Sequence, residues 1–210
     1  MPSLASFLTV ALAASSAAAS ALPRAAPFES VKQKRQWSSS SSSTSSGNLT
    51  VDLGYEVYQG HLNKTSGINQ WNGIRFAAPP TGALRWQAPQ PPTVNRNHVI
   101  DALNYGPMCV QNGDAPGPSN SSGQEDCLFL NVQAPANASN LPVFVWIHGG
   151  GYGLGNGRQN LAPIINENGN NFVGVSIQYR LGAFGFMSSD ELFRRGVVNA
   201  GLLDQHFALQ

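Results

Sequence analysis

Charge is scarce in this chain. Lys, Arg, Asp and Glu make up 11% of its 210 residues and leave a formal net charge of +1, against about 25% charged residues in an ordinary globular domain. No basic cluster interleaves with aromatics, so nucleic acid is not an expected partner. Cysteine is limited to Cys109 and Cys127. Two cysteines make no paired-cysteine zinc motif, and His61, His98, His148 and His206 show no ligand spacing, so neither metal nor cofactor is expected. The longest apolar run, residues 4–14, falls short of the roughly 20 residues that span a bilayer. Internal repeats are absent. Glycine and proline are plentiful instead, at 22 and 14 residues, which points to a loop-rich protein rather than a helix bundle.

The N-terminus has the layout of a secretion signal. The run LASFLTVALAA (residues 4–14) is followed by small residues, with cleavage expected after Ala19 or Ala21. No Lys or Arg precedes the run, a departure from the usual pattern. Residues 1–20 are therefore read as a signal peptide and the protein as extracellular. Lys34-Arg35 reads either as a dibasic processing site, which would make 21–35 a propeptide, or as an ordinary solvated charge pair. Residues 38–46 are serines broken only by Thr44, a composition that buries no apolar area, so 36–47 is read as a linker. The folded part is expected over 48–210. Four Asn-x-Ser/Thr sequons, at Asn48, Asn63, Asn120 and Asn137, are glycosylation acceptors behind such a signal. In that compartment Cys109 and Cys127 are expected to pair. Closing the Gly/Pro/Asn/Ser-rich loop between them stabilises by about 3 kcal/mol in the chain-entropy picture.

Hydrophobic patterning gives the order of elements. Residues 49–53 and 55–62 read as short strands around Gly54, and 71–76 as a further extended stretch. Residues 77–92 hold five prolines and must run irregularly or extended. Residues 128–133 alternate as a strand does. The runs 143–147 and 172–179 are continuous and β-rich, which suits strands buried on both faces of a parallel or mixed sheet. Residues 161–166 fit a short helix. Strand, glycine loop, helix, strand is the rhythm of an α/β layer fold. At the end, Leu202, Leu203, His206 and Phe207 share one helical face, and no capping glycine, terminal basic residue or proline closes that helix.

The most informative segment is His148-Gly149-Gly150-Gly151-Tyr152-Gly153, set directly after the apolar run 142–147. Consecutive glycines at a strand end expose backbone N–H groups with no side chains to block access. No register supplies the Gly-x-Gly-x-x-Gly dinucleotide fingerprint, and Gly157 is followed by Arg158-Gln159 rather than the Lys-Ser/Thr of a phosphate loop. Two readings remain: a structural turn, at a high entropic cost in glycine, or an oxyanion hole. His148 is read as orienting the loop rather than acting as a base.

Family resemblance enters through several blocks in register. Glu125-Asp126-Cys127-Leu128-Phe129-Leu130-Asn131-Val132 closely resembles the second signature of type B carboxylesterases, the family of cholinesterases and fungal lipases. Gly73-Ile74-Arg75-Phe76-Ala77-Ala78-Pro79-Pro80, with Arg85-Trp86, resembles its N-terminal block. Tyr179-Arg180-Leu181-Gly182-Ala183-Phe184-Gly185-Phe186 and Gly201-Leu202-Leu203-Asp204-Gln205 match further on, and the His-Gly-Gly-Gly loop is of the lipase and esterase type. The resemblance covers residues 51–210. It implies the N-terminal part of an α/β-hydrolase fold: a mixed, mostly parallel sheet with a small N-terminal antiparallel sheet. It implies oxyanion donors at Gly150 and Gly151, with Gly149 beside them. It also implies a first disulfide at Cys109–Cys127 and structural ion pairs Arg85–Glu125 and Arg180–Asp204.

The family's Gly-x-Ser-x-Gly elbow is missing from these residues; the nearest spacing, Gly113-Asp114-Ala115-Pro116-Gly117, has alanine at its centre. The expectation is a chain cut before that elbow, with serine, acid and catalytic histidine beyond Gln210, and inactive by itself. Without the strand that carries the elbow, residues 143–147 present an apolar sheet edge, and residues 36–210 alone are expected to be poorly soluble. The activity implied for the parent is hydrolysis of a small-molecule or lipid carboxylic ester. The alternative is a non-catalytic adhesion or binding member of the same fold.

Overall fold

The computed structural model describes residues 49–113, 123–136, 138–194, 196 and 198–210. The signal, propeptide and linker readings, and the sequons at Asn48, Asn120 and Asn137, lie outside the described residues. In chain order the strands are β1 (Thr50–Asp52), β2 (Val57–Gln59), β3 (His61–Asn63), β4 (Ile68–Arg75), β5 (Val99–Asp101), β6 (Phe129–Pro135), β7 (Val143–Ile147) and β8 (Val173–Ile177). The helices are α1 (Ala162–Glu167), α2 (Gly182–Phe186), α3 (Asp190–Arg194) and α4 (Ala200–Ala208).

Two sheets form. The small one has the order β1-β2-β5 and the larger one β3-β4-β6-β8-β7. In the small sheet β1 runs antiparallel to β2 but β5 runs parallel to it, so it is mixed rather than purely antiparallel. In the larger sheet β7 and β8 are parallel, with Ile147 opposite Ile177. The other three pairings are antiparallel. The sheet is mixed, as expected. The expected parallel majority is represented among the described strands by β7–β8 alone, because the hairpin β3–β4 and the returns to β6 and β8 fill the other positions.

Burial follows sheet position rather than apolarity. β8 is held between β6 and β7, and Ser176 and Ile177 are fully buried. α1 covers one face, packing Leu161, Ala162 and Ile165 with Ile68 of β4. The expectation of burial on both faces fails for β7. Val143, Phe144, Trp146 and Ile147 are 38–60% exposed, because β7 is the edge strand and no described element lies beyond it.

α4 also departs from its expected face. Ala200, Gly201 and Asp204 are buried, with Phe207 and Ala208 against the core, while Leu202, Leu203 and His206 point outward. An added Cβ at Gly201 would lie 2.5 Å from the Arg180 carbonyl oxygen. That close approach, together with the Asp204–Arg180 pair, rolls the helix onto its small and acidic side.

A second core joins Phe76, Ala77, Leu128, Tyr179 and Leu181 around the Cys109–Cys127 disulfide. It supports the start of the glycine loop, which leaves β7 at His148.

Candidate functional site: the glycine loop after β7

The loop is built where the backbone must turn away from β7. Gly150 has φ +119° and Gly151 φ +60°, conformations that glycine reaches without a Cβ penalty. At Gly150 an added Cβ would sit 2.1 Å from the Leu154 carbonyl oxygen; at Gly149 and Gly151 it would meet nothing within 4 Å. The inner side of the turn is therefore closed and the outer side open. The Gly150 carbonyl accepts from the amides of Gly153 (3.2 Å) and Leu154 (3.1 Å). Among the described residues nothing accepts from the amides of Gly149, Gly150 or Gly151. Backbone donors left without a protein acceptor are free for solvent or a ligand.

The far side of the loop is tied to distant segments. The Gln111 side chain pairs with Gly155 as a strand would: Oε1 accepts its N–H at 2.7 Å and Nε2 donates to its carbonyl at 2.9 Å. Gln111 Nε2 also donates to the Cys109 carbonyl (2.8 Å). The Asn112 amide donates to the Gly153 carbonyl (2.7 Å) and the Gly182 amide to the Tyr152 carbonyl (2.8 Å). At the exit, Ser176 Oγ (2.6 Å) and Asn131 Nδ2 (2.8 Å) donate to the Gly157 carbonyl. These contacts fix the loop without using its first three amides.

His148 sits at the loop's root, 6% exposed. Its ring stacks on Tyr179, with centroids 4.4 Å apart and an interplanar angle of 19°. The Tyr179 hydroxyl donates to the His148 carbonyl (2.8 Å). Nδ1 lies 2.9 Å from the Gly149 carbonyl oxygen. Burial lowers the imidazole pKa below its ordinary value, with the Gly149 contact pulling weakly the other way.

An open hollow of about 480 Å³ adjoins the turn, lined by Asn112, Gly151, Tyr152, Gly182, Phe186 and Met187. The Tyr152 ring, largely exposed, leans on Phe186 at 4.8 Å. The hollow thus has an aromatic floor with Gly151 in its wall.

The structure places the other sequence-selected residues as scaffold. Cys109 and Cys127 form a disulfide. Arg85 holds Glu125 through Nε (2.6 Å) and Nη2 (2.7 Å) at a partly exposed position. Arg180 holds Asp204 through Nε (2.8 Å) and Nη2 (2.6 Å), and its amide adds a third bond at 3.0 Å. This second pair is buried, at 3% and 0% side-chain exposure. A small cavity is lined by Cys109, Glu125, Cys127 and Arg180, so the disulfide and both pairs share one neighbourhood. Asn63 closes β3, and its Oδ1 accepts from the Thr65 and Ser66 amides. Among the described residues no group of three His, Cys, Asp or Glu could hold a metal ion, and no helix is long and apolar enough to cross a membrane.

Sequence reasoning missed Gln111, Tyr179 and the bidentate pair Arg75–Asp126 (2.6 and 2.9 Å). Asp126 lies inside the Glu125–Val132 block, a local signal for its role. Nothing local marks Gln111, whose partner is 44 residues away.

Comparison with known proteins agrees with this architecture. Residues 53–210 match the Carboxylesterase family. Para-nitrobenzyl esterase of Bacillus subtilis is 42% identical over 151 residues, covering 69% of this chain and 30% of that protein. Acylcarnitine hydrolase of Mus musculus is 39% identical over 164 residues, covering 71% and 28%. The crystal structure of Aspergillus niger EstA superposes with a TM-score of 0.70 at 39% identity, covering 78% of this chain and 32% of that one. The chain thus spans about 30% of the length of the curated relatives it matches. With its mixed sheet, its disulfide and the glycine turn at the end of β7, the chain belongs to the carboxylesterase family, whose solved members carry the α/β-hydrolase fold.

Proposed function

We propose that this chain supplies the oxyanion hole of a secreted carboxylic ester hydrolase working by serine acyl transfer. The observation that carries the reading is the set of three unpartnered amides, at Gly149, Gly150 and Gly151, in a loop otherwise anchored by hydrogen bonds. Gly150 and Gly151 are the donors and Gly149 lies beside them. In this scheme a serine oxygen attacks the ester carbonyl while a histidine takes its proton. The carbonyl oxygen becomes an anion and accepts from the two glycine amides. The intermediate collapses, the alcohol leaves with the proton from histidine, and water releases the acid in a second round. A prearranged donor of this kind is worth about 10²–10³ in turnover.

No Gly-x-Ser-x-Gly elbow occurs within residues 1–210. Residues 1–210 alone are therefore expected to be inactive. Loss of the nucleophile or its base costs about 10⁶ in a serine protease. The reading also takes residues 1–20 as the secretion signal, 21–35 as a propeptide and 36–47 as a linker ahead of the family domain. Its substrates are small-molecule or lipid esters.

The test is labelling of the full-length polypeptide with a fluorophosphonate, alongside hydrolysis of a p-nitrophenyl ester. Covalent labelling of one serine with matching loss of turnover is expected. A full-length protein that neither labels nor hydrolyses would point instead to a binding member of the fold.

A further inference from the structure

We propose that Asn112 is a site of spontaneous deamidation, a reaction that puts a carboxylate into the hollow beside Gly151. The chain holds four Asn-Gly dipeptides, at 72–73, 112–113, 156–157 and 168–169. Such a dipeptide carries its own reactants. The glycine nitrogen is a latent nucleophile, the asparagine side-chain amide is an electrophile, and glycine has no Cβ to hinder their approach. The sequence does not rank the four; the structure does.

In three of them the reacting groups are already engaged. The Gly73 N–H donates to Asn131 Oδ1 (2.9 Å), and Asn72 Nδ2 donates to the Leu103 carbonyl (3.0 Å). The Gly157 N–H donates to Gln178 Oε1 (3.1 Å), while Asn156 Oδ1 accepts from the Arg158 amide (2.9 Å). The Gly169 N–H donates to the Asn166 carbonyl (3.0 Å), and Asn168 Nδ2 to the Ile164 carbonyl (2.9 Å). Asn112-Gly113 differs at both ends. Among the described residues the Gly113 N–H has no acceptor and the Asn112 side chain has no hydrogen-bond partner. Both residues are exposed, and an added Cβ at Gly113 would meet nothing within 4 Å. No hydrogen bond has to break before the side chain swings onto the nitrogen.

The reaction needs only the chain and water. The Gly113 nitrogen gives up its proton and bonds to Asn112 Cγ, the Cγ–Nδ2 bond breaks, and Nδ2 leaves as ammonia with that proton. The product is a cyclic imide spanning the two residues. Water then adds to either imide carbonyl and opens the ring, returning a proton to the nitrogen. One opening leaves aspartate at position 112. The other leaves isoaspartate, whose main chain is longer by one carbon.

The consequence for activity rests on the reading of the loop as an oxyanion hole. Asn112 lines the same hollow as Gly151, and its side chain lies against Gly153 and Gly182. An added Cβ would stand 2.1 Å from Nδ2 at the first and 2.3 Å from Oδ1 at the second. A carboxylate there opposes a second negative charge on the neighbouring amides. The isoaspartyl form also displaces the chain directly after the Asn112 amide that holds the Gly153 carbonyl (2.7 Å).

The test incubates the full-length protein under mildly alkaline conditions and maps its peptides by mass spectrometry over time. Asn112 should show the one-unit mass gain of deamidation, with isoaspartate detected by enzymatic methylation. Asn72, Asn156 and Asn168 should convert about tenfold or more slowly, because each must first give up a hydrogen bond. An unconverted Asn112, or four sites converting at the same rate, would overturn the proposal. Turnover of the wild type should decay in step with conversion. Asn112→Gln, whose longer side chain closes the ring poorly, should keep its own starting turnover over the same period. Asn112→Asp should lower kcat several-fold from the outset, and wild-type kcat in that variant would overturn the effect on the loop. A wild type that never hydrolyses an ester would remove the esterase reading alone, since the mass readout does not depend on it.

Discussion

β7 and β8 run side by side in parallel, yet they lead opposite lives. β8 reads Val-Gly-Val-Ser-Ile and has no exposed residue; β7 reads Val-Phe-Val-Trp-Ile, is more apolar, and leaves four of five side chains well exposed. The difference is a neighbour. Among the described residues β8 has strands on both sides, whereas β7 has one. The glycine turn grows from the exposed strand, yet it is tied down by Gln111, Asn112, Gly182, Ser176 and Asn131. Anchorage of the turn thus comes from the side of the molecule away from the free edge. A rigid turn thus grows from a strand that has a neighbour on one side only among the described residues.

The anchored side can be broken most severely at its buried ion pair. Asp204→Ala leaves the Arg180 guanidinium buried without its partner, and removal of one member of such a pair costs about 3–5 kcal/mol. Denaturant unfolding of the protein should show this loss. The partly exposed pair Arg85–Glu125 is the control, since solvent screens it and Arg85→Ala there should cost far less. Next in size is the disulfide. Replacing both Cys109 and Cys127, which stand 18 residues apart, by serine should cost about 3 kcal/mol. It should also loosen the Gln111 clamp on Gly155, seen as faster amide exchange in residues 149–157.

The free edge should respond in the opposite way. Phe144→Lys on β7 is expected to cost about 1 kcal/mol, because it removes the edge-on contact with the Phe172 ring. It should nevertheless raise the soluble yield of residues 36–210, because a charge on an edge strand blocks pairing with other chains. A cooperatively melting, monomeric product from unaltered residues 36–210 would contradict the contrast between the two strands.

The smallest effect concerns pH. The folded state holds His148 neutral by burial, and its pKa lies below the ordinary value of 6.5. Below pH 6.5 the unfolded chain binds a proton that the folded chain resists. The contribution of this residue is therefore complete above pH 6.5 and fades as pH falls through the depressed folded value. Unfolding midpoints of wild type and His148→Asn, compared between pH 7.5 and 5.5, should diverge at the acid end, with the wild type losing more.

Much of the layout was legible in the chain itself. The β-rich runs gave β6, β7 and β8, and the glycine run gave the turn. Short-range rules governed each: strand propensity, the Gly-rich end of a strand, and a lone pair of cysteines. The helix at 200–208 was legible as a helix but not in orientation, since leucine periodicity competed with a buried aspartate and lost. β5, α2 and α3 gave no clear signal because none carries a continuous β-rich run or a helical repeat of apolar residues.

By itself the sequence determined the family, the order of the central elements and the place of the glycine turn, because these depend on residues adjacent in the chain. The tertiary structure alone decided that Gln111 would clamp Gly155, that Tyr179 would hold the His148 ring, and that β7 rather than β8 would lie open. Those outcomes depend on which strand lies beside which, and strand order is a long-range choice that local composition does not encode.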